Sequence, residues 1–238
     1  MTLRRQLPVS SPLPAPALLS AAAAALRPRP DHAARLLCSL VDRLGAADGV
    51  LCGSGTQALQ LAISTALDHR GDRTAPVALP AFTCYDVAAA AVGAGARVAL
   101  YDVDPRTLAP DAASLERVLA AGARVIVVAW SFGHPPPWDD VLAAADRHGA
   151  MVIEDAAQGH GSAWNGRPAG SFGAMSVLSF GRGKGWTGGR GGALLVHDPA
   201  LAVPSLGAGG LGAEAENVAT ALAQWALGRP AIYAVPAS

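Results

Sequence analysis

Lys184 is the single lysine among 18 basic side chains, the other 17 being arginine. Arginine stays charged at any working pH, whereas lysine can lose its proton and attack a carbonyl carbon to form a Schiff base. A lone lysine in an arginine-rich chain is therefore a candidate nucleophile. It lies in the stretch 181–191, six of whose eleven residues are glycine, and a long connection of that composition between two apolar runs is more often functional than decorative. A second candidate is Asp155, which ends the run Met151-Val152-Ile153-Glu154. A carboxylate there can cap a helix or pair with a ligand cation. A third is the turn Gly53-Ser54-Gly55-Thr56, small residues and two hydroxyls ahead of a helical pattern, where backbone N–H groups and the helix dipole favour an anion such as phosphate. The plain alternatives are an ordinary Ser/Thr helix cap for the turn and a solvated surface position for the lysine.

Such residues meet only if a scaffold gathers strand ends. Short apolar runs at 49–52, 77–79, 98–101, 125–128 and 151–153 alternate with helical periodicity at 57–67, 86–92, 112–119 and 139–147. That alternation predicts an α/β three-layer sandwich with a mostly parallel sheet covered on both faces. Helical stretches at 15–26 and 31–44 precede it. Runs at 176–180 and 193–196 flank the glycine-dense stretch, followed by a Gly-rich linker at 207–212 and a helical pattern at 213–227. Open parallel sheets bind ligands beyond the carboxyl ends of their strands, which selects 53–56, 80–85, 155–160 and 179–184. Lys184 for an aldehyde, Asp155 for a pyridinium nitrogen, and Ser54, Gly55, Thr56 and Ser179 for a phosphate are the parts that pyridoxal 5'-phosphate requires.

Composition excludes several other classes. With 238 residues, zero formal net charge, 51% hydrophobic and 15% charged residues, the chain is not disordered and carries no basic footprint for nucleic acid. Cys38, Cys52 and Cys84 are odd in number and not closely paired, as expected of reduced thiols in a cytoplasmic protein rather than a disulfide framework or a metal site. Arg4 and Arg5 before the apolar 17–26 resemble a secretory leader, but Pro8, Pro12, Pro14 and Pro16 interrupt it and Arg27-Pro28-Arg29-Pro30 is no cleavage site. No run reaches the ~20 apolar residues of a membrane-spanning helix, so a soluble protein is expected. Gly53-Ser54-Gly55 lacks the third glycine and the downstream acidic residue of a dinucleotide fingerprint.

At these residues the sequence resembles the sugar aminotransferases of the DegT/DnrJ/EryC1/StrS type, a family of fold-type I pyridoxal-phosphate enzymes. Four stretches carry the resemblance: Gly53-Ser54-Gly55-Thr56-Gln57-Ala58-Leu59; Pro80-Ala81-Phe82-Thr83 with Asp102-Val103-Asp104; Ile153-Glu154-Asp155-Ala156-Ala157-Gln158-Gly159-His160-Gly161; and Ser179-Phe180-Gly181-Arg182-Gly183-Lys184 with Gly191-Gly192. It implies that Lys184 holds the cofactor as an internal aldimine and that Asp155 partners the pyridine nitrogen. It places Gln158 near the O3' oxygen, and Ser179 with Ser54, Gly55 and Thr56 around the phosphate. The ring that the family stacks on the pyridine falls after Thr83 on Cys84, so the stacking role passes to Tyr85, or Tyr85 is a packing residue.

The resemblance also implies a homodimer that moves an amino group from an amino acid such as glutamate to a keto-sugar carried on a nucleotide, as in polysaccharide biosynthesis. Dehydratases of the family typically have histidine in place of the lysine, so Lys184 favours transamination. Arg190 stands where the family has an acidic residue, His134 reads as a loop residue and His160 as structural. The layout expected is an N-terminal segment at 1–30, a cofactor-binding large domain at 31–200, and a linker at 201–238 that begins a C-terminal region extending further in relatives. That shortness and Arg190 favour the competing reading, a catalytically impaired interaction domain.

Overall fold

Among the residues described by a computed structural model (14–26, 31–206, 219–223 and 225–226), seven strands form the central sheet. They are β1 (Asp48–Cys52), β2 (Val77–Pro80), β3 (Val98–Tyr101), β4 (Val125–Ala129), β5 (Met151–Asp155), β8 (Met175–Ser179) and β9 (Gly192–Val196). The short pair β6 (Ala163–Trp164) and β7 (Arg167–Pro168) forms a separate hairpin. The sheet order is β1-β9-β8-β5-β4-β2-β3. Neighbours from β8 through β5, β4 and β2 to β3 are parallel, while β9 runs against both β8 and β1. One reversed strand therefore brings the start of β9 to the edge where the other strands end.

The strands read as unbroken apolar runs because both faces are buried. In β4, Val125 and Val127 pack beneath α3 (Gly55–Arg70) and α4 (Tyr85–Gly93). Ile126 and Val128 point the other way, towards α2 (Asp31–Leu44), α5 (Ala112–Ala120) and α6 (Trp138–Arg147). The helix α1 (Ala15–Leu26) precedes these layers. Along α3, Ala58, Ala62 and Ala66 are fully buried beside Leu59, Ile63 and Leu67, so small side chains let the helix lie close on the sheet. Its start is a reciprocal cap: Ser54 Oγ accepts from the Gln57 N–H at 3.0 Å and Gln57 Oε1 accepts from the Gly53 N–H at 2.8 Å.

The three-layer, mostly parallel architecture agrees with the pattern in the sequence, and α1 and α2 have the expected bounds. Periodicity carries no strand direction, and the reversal of β9 was not legible from it. The β6–β7 hairpin is also additional. Asn165 and Gly166 take positive φ values of 47° and 79°, the turn that an Asn-Gly pair favours between strands. Of the expected helix at 213–227, residues 219–223 and 225–226 are helical. The remainder of it, the 207–212 linker and residues 1–13 and 27–30 lie outside the described residues. Among the described residues, no helix is long and apolar enough to cross a membrane.

Candidate active site

A cavity of about 740 Å³ opens at the edge where the strands end. Its floor comes from β5, whose last two residues are carboxylates on opposite faces. Asp155 follows Ile153 towards the α3 side and lines the cavity. Among the described residues its side chain has one hydrogen bond, accepted by Oδ1 from the Ala157 N–H at 3.0 Å. Burial pushes its proton affinity above that of an ordinary carboxylate; the Ala157 N–H and the Lys184 ammonium pull it back, and the Asp86 charge adds to the rise. A cation brought into the cavity would hold Asp155 ionised.

Glu154 follows Val152 to the other face and is fully buried. It accepts from Trp130 Nε1 at 2.5 Å, the Gly170 N–H at 2.8 Å and the Phe172 N–H at 2.7 Å. Around it Trp138 stacks on Phe172 with centroids 4.6 Å apart, and Trp130 lies 6.0 Å from each ring. Burial outweighs the three donors and pushes the Glu154 pKa from 4.5 up to about 7. The folded chain then keeps a proton that the unfolded chain releases. Stability from this group is full below pH 4.5 and is lost as the pH rises to about 7. Urea unfolding across that window is expected to show the decline in the native chain and a shallower decline, left by Asp155, in Glu154→Gln. The variant is also less stable by about 1–3 kcal/mol, because the glutamine amide has a nitrogen where a carboxylate oxygen accepted.

The start of α3 meets the end of β8 at contact distance. A Cβ on Gly55 would sit 2.8 Å from Ser179 Cβ, and one on Gly192 would sit 2.7 Å from both Gly55 N and Ser54 C. Glycine at these two positions lets Ser54, Gly55, Thr56 and Ser179 line one side of the cavity. A first helical turn has N–H groups with no acceptor inside the helix, so this side is shaped for an anion. In Gly55→Ala the added methyl is expected to push α3 away from β8 and cost about 1–3 kcal/mol. Urea unfolding measures that loss.

Lys184 projects from the loop joining β8 and β9. The loop is tied by Phe180 N–H to Gly191 O (2.9 Å), Gly188 N–H to Phe180 O (2.8 Å) and Lys184 N–H to Gly181 O (3.2 Å). Half-buried Lys184 lines the cavity together with the exposed Arg182 and Arg190. On the far side of Asp155 the lining passes to the ends of β4 and β2, with Trp130, Phe132, Phe82, Cys84 and Asp86. Gln158 also lines it, and its Oε1 accepts from the Phe132 N–H at 2.8 Å.

Seven of the eight residues singled out in the sequence thus share one cavity. Tyr85 does not: it is the first residue of α4, 80% exposed, and its flanking neighbours Cys84 and Asp86 line the cavity instead. Sequence reasoning missed Trp130, Phe132 and Asp86 as lining residues. The strand-end rule applied to β4 points at the first two. His160 packs against Trp186 with centroids 4.0 Å apart and His134 is exposed in its loop, in line with structural and loop roles. Cys52 is buried, its thiol pushed up to about 11, while Cys38 and Cys84 are exposed and all three are free. Among the described residues no group of three His, Cys, Asp or Glu is placed to hold a metal ion.

A mostly parallel seven-stranded sheet covered by helices on both faces is the fold of the pyridoxal-phosphate aminotransferases. The chain belongs to the DegT/DnrJ/EryC1/StrS aminotransferase family, whose profile matches residues 31–212. It is 36% identical over 153 residues to the L-glutamine:2-deoxy-scyllo-inosose aminotransferase of Streptomyces kanamyceticus, an alignment covering 64% of this chain and 35% of that protein. It is 34% identical to the GDP-perosamine synthase of Caulobacter vibrioides, covering 69% of this chain and 43% of that one. Among solved structures, the sugar aminotransferase CalS13 of Micromonospora echinospora superposes with a TM-score of 0.69 at 28% identity, covering 83% of this chain and 55% of the other. The chain spans less than half the length of these two curated relatives.

Proposed function

We propose that this chain is the cofactor-binding large domain of a pyridoxal-phosphate-dependent aminotransferase, working in the cytoplasm as a homodimer. It would transfer an amino group from glutamate or glutamine to a ketone on a sugar, carried on a nucleotide, or on a related cyclitol. One observation carries the reading: the only lysine of the chain, a carboxylate short of partners and a glycine-shaped anion cradle line the same cavity.

The residues present fit the cofactor. The first turn of α3 with Ser179 would hold its phosphate, Asp155 its ring nitrogen and Lys184 its aldehyde. When bound, pyridoxal phosphate supplies an electrophilic carbon and a ring that accepts the electron pair left when a proton leaves the donor. Asp155 keeps the ring nitrogen protonated by its negative charge. Lys184, once its amine is free, is the base that moves the proton at the donor α carbon. Gln158 lines the cavity with its oxygen engaged by the Phe132 N–H. Carboxylate and ammonium are set close enough to influence each other, in a cavity that Asp86, Arg182 and Arg190 also line.

The test is a visible spectrum of the purified chain with pyridoxal phosphate, before and after borohydride, followed by mapping of the modified peptide. A reduced adduct on Lys184 is expected. A folded chain with no adduct, or with the label on another amine, would sink the reading.

A further inference from the structure

We propose that Phe132, which lines the cavity together with Phe82, is the aromatic platform on which the six-membered polyhydroxylated ring of the amino acceptor lies. This rests on the reading of the cavity as a transamination site and names the part of it that selects the acceptor.

Three observations point there. The chain has four phenylalanines. Phe172 is buried and Phe180 half-buried in the core, whereas Phe82 and Phe132 stand 57% and 69% exposed and both line the cavity. They follow adjacent strands, β2 and β4, so they flank Asp155 on the side away from the lysine loop. The backbone of Phe132 is left-handed, with φ 53° and ψ 25°. Of the three non-glycine residues with positive φ among those described, it alone lines the cavity.

That conformation is disfavoured for a bulky side chain and persists where its surroundings impose it. Those surroundings are three side chains: Gln158 Oε1 holds the Phe132 N–H, Ser162 Oγ donates to Gly133 O at 2.7 Å, and Glu154 holds the Trp130 indole. The Asp155 carbonyl accepts the Trp130 N–H at 3.1 Å, which ties the turn to the floor of the site. A strained turn clamped from four directions presents an apolar ring to a cavity otherwise rich in charge. The matching ligand has an apolar face and a polar rim, and a polyhydroxylated six-membered ring offers both: C–H bonds towards the aromatic face, hydroxyls towards Asp86, Arg182 and Arg190.

The experiment titrates the full chain with myo-inositol and with UDP-N-acetylglucosamine, reading affinity and saturation transfer from aromatic protein protons to the ligand by NMR. Saturation is expected on the ring C–H protons of the cyclitol and of the pyranose. Phe132→Leu, which keeps apolar bulk without the ring, should weaken binding roughly three- to tenfold, and Phe132→Tyr should restore it. Equal affinity of Phe132→Leu and the native chain, saturation confined to the uracil protons, or no binding of either probe overturns the proposal. Should the leucine variant fail to fold, the saturation pattern of the native chain decides alone. The Lys184 adduct is scored separately, so its absence tells against the transaminase reading and leaves the ring-binding result to stand or fall by itself.

Discussion

Lys184→Ala is expected to abolish the borohydride-stable adduct with pyridoxal phosphate and to lower aminotransfer by the whole protein by about a thousandfold or more. No other lysine exists in the chain to take its place. Lys184→Arg should fail equally, although it keeps the positive charge beside Asp155, because guanidinium neither loses its proton nor condenses with an aldehyde at working pH. The pair of variants separates two roles of the side chain. If charge alone mattered, arginine would retain most of the activity. An added small amine should restore part of the rate in the alanine variant and little in the arginine variant, where the larger head group occupies the space. Mass spectrometry of the reduced protein checks the adduct, and single-turnover absorbance with an amino donor checks the rate. An adduct persisting in Lys184→Ala would remove the basis of the proposed chemistry.

Asp155→Asn should produce two effects of opposite sign. In the cofactor-free chain the Asp155 carboxyl has a raised proton affinity, chiefly through burial. Its stability contribution is therefore full at low pH and lost as the pH rises through the shifted value. Asparagine carries no such charge, so the empty variant is expected to unfold at higher urea concentration than the native chain at neutral pH. With cofactor the order reverses. Asparagine offers no negative charge to a protonated ring nitrogen, and a lost charge partner in a partly dry site costs about a hundred- to a thousandfold in rate. Protection against urea by pyridoxal phosphate should shrink in parallel. A variant that is less stable when empty and unchanged when loaded would mean that Asp155 is a structural cap held by Ala157. Native sites commonly trade stability for function in this manner, and the two measurements show the exchange at one residue.

The fold was largely legible because its strands and helices have distinct periods. β4 is short and apolar on both faces, β5 is so up to its two terminal carboxylates, and α2 carries its bounds in its pattern. What escaped was orientation. Nothing in the run at 193–196 distinguishes a strand that continues the parallel series from one that turns back, since both bury two faces. In the site, Lys184 was legible from its uniqueness, and Asp155 and Ser54 from their places after apolar runs. Tyr85 was not, because the side to which the first residue of a helix points depends on where that helix begins. Phe132 was missed for a related reason: a single aromatic after a strand has no periodicity, and its left-handed backbone is imposed by Gln158, Ser162 and Glu154 from distant parts of the chain.

The reversed strand has a consequence for the order in which the chain is made. β9 fills the place between β8, its immediate predecessor, and β1, which was synthesised far earlier: Asp48 pairs with Val196. The hairpin of β8 and β9, with Lys184 at its bend, joins near neighbours in sequence and closes cheaply, whereas the pairing with β1 closes a loop containing the rest of the sheet. The start of α3 lies against Gly192 as well as against Ser179, so that side of the cavity is complete only once β9 is in place. On the ribosome the lysine and the carboxylate emerge before the anion cradle can form. On the proposed reading, capture of a phosphorylated ligand is complete only after residue 196 has emerged, and a chain stalled before that point would present the Lys184 amine without the full seat proposed for the cofactor.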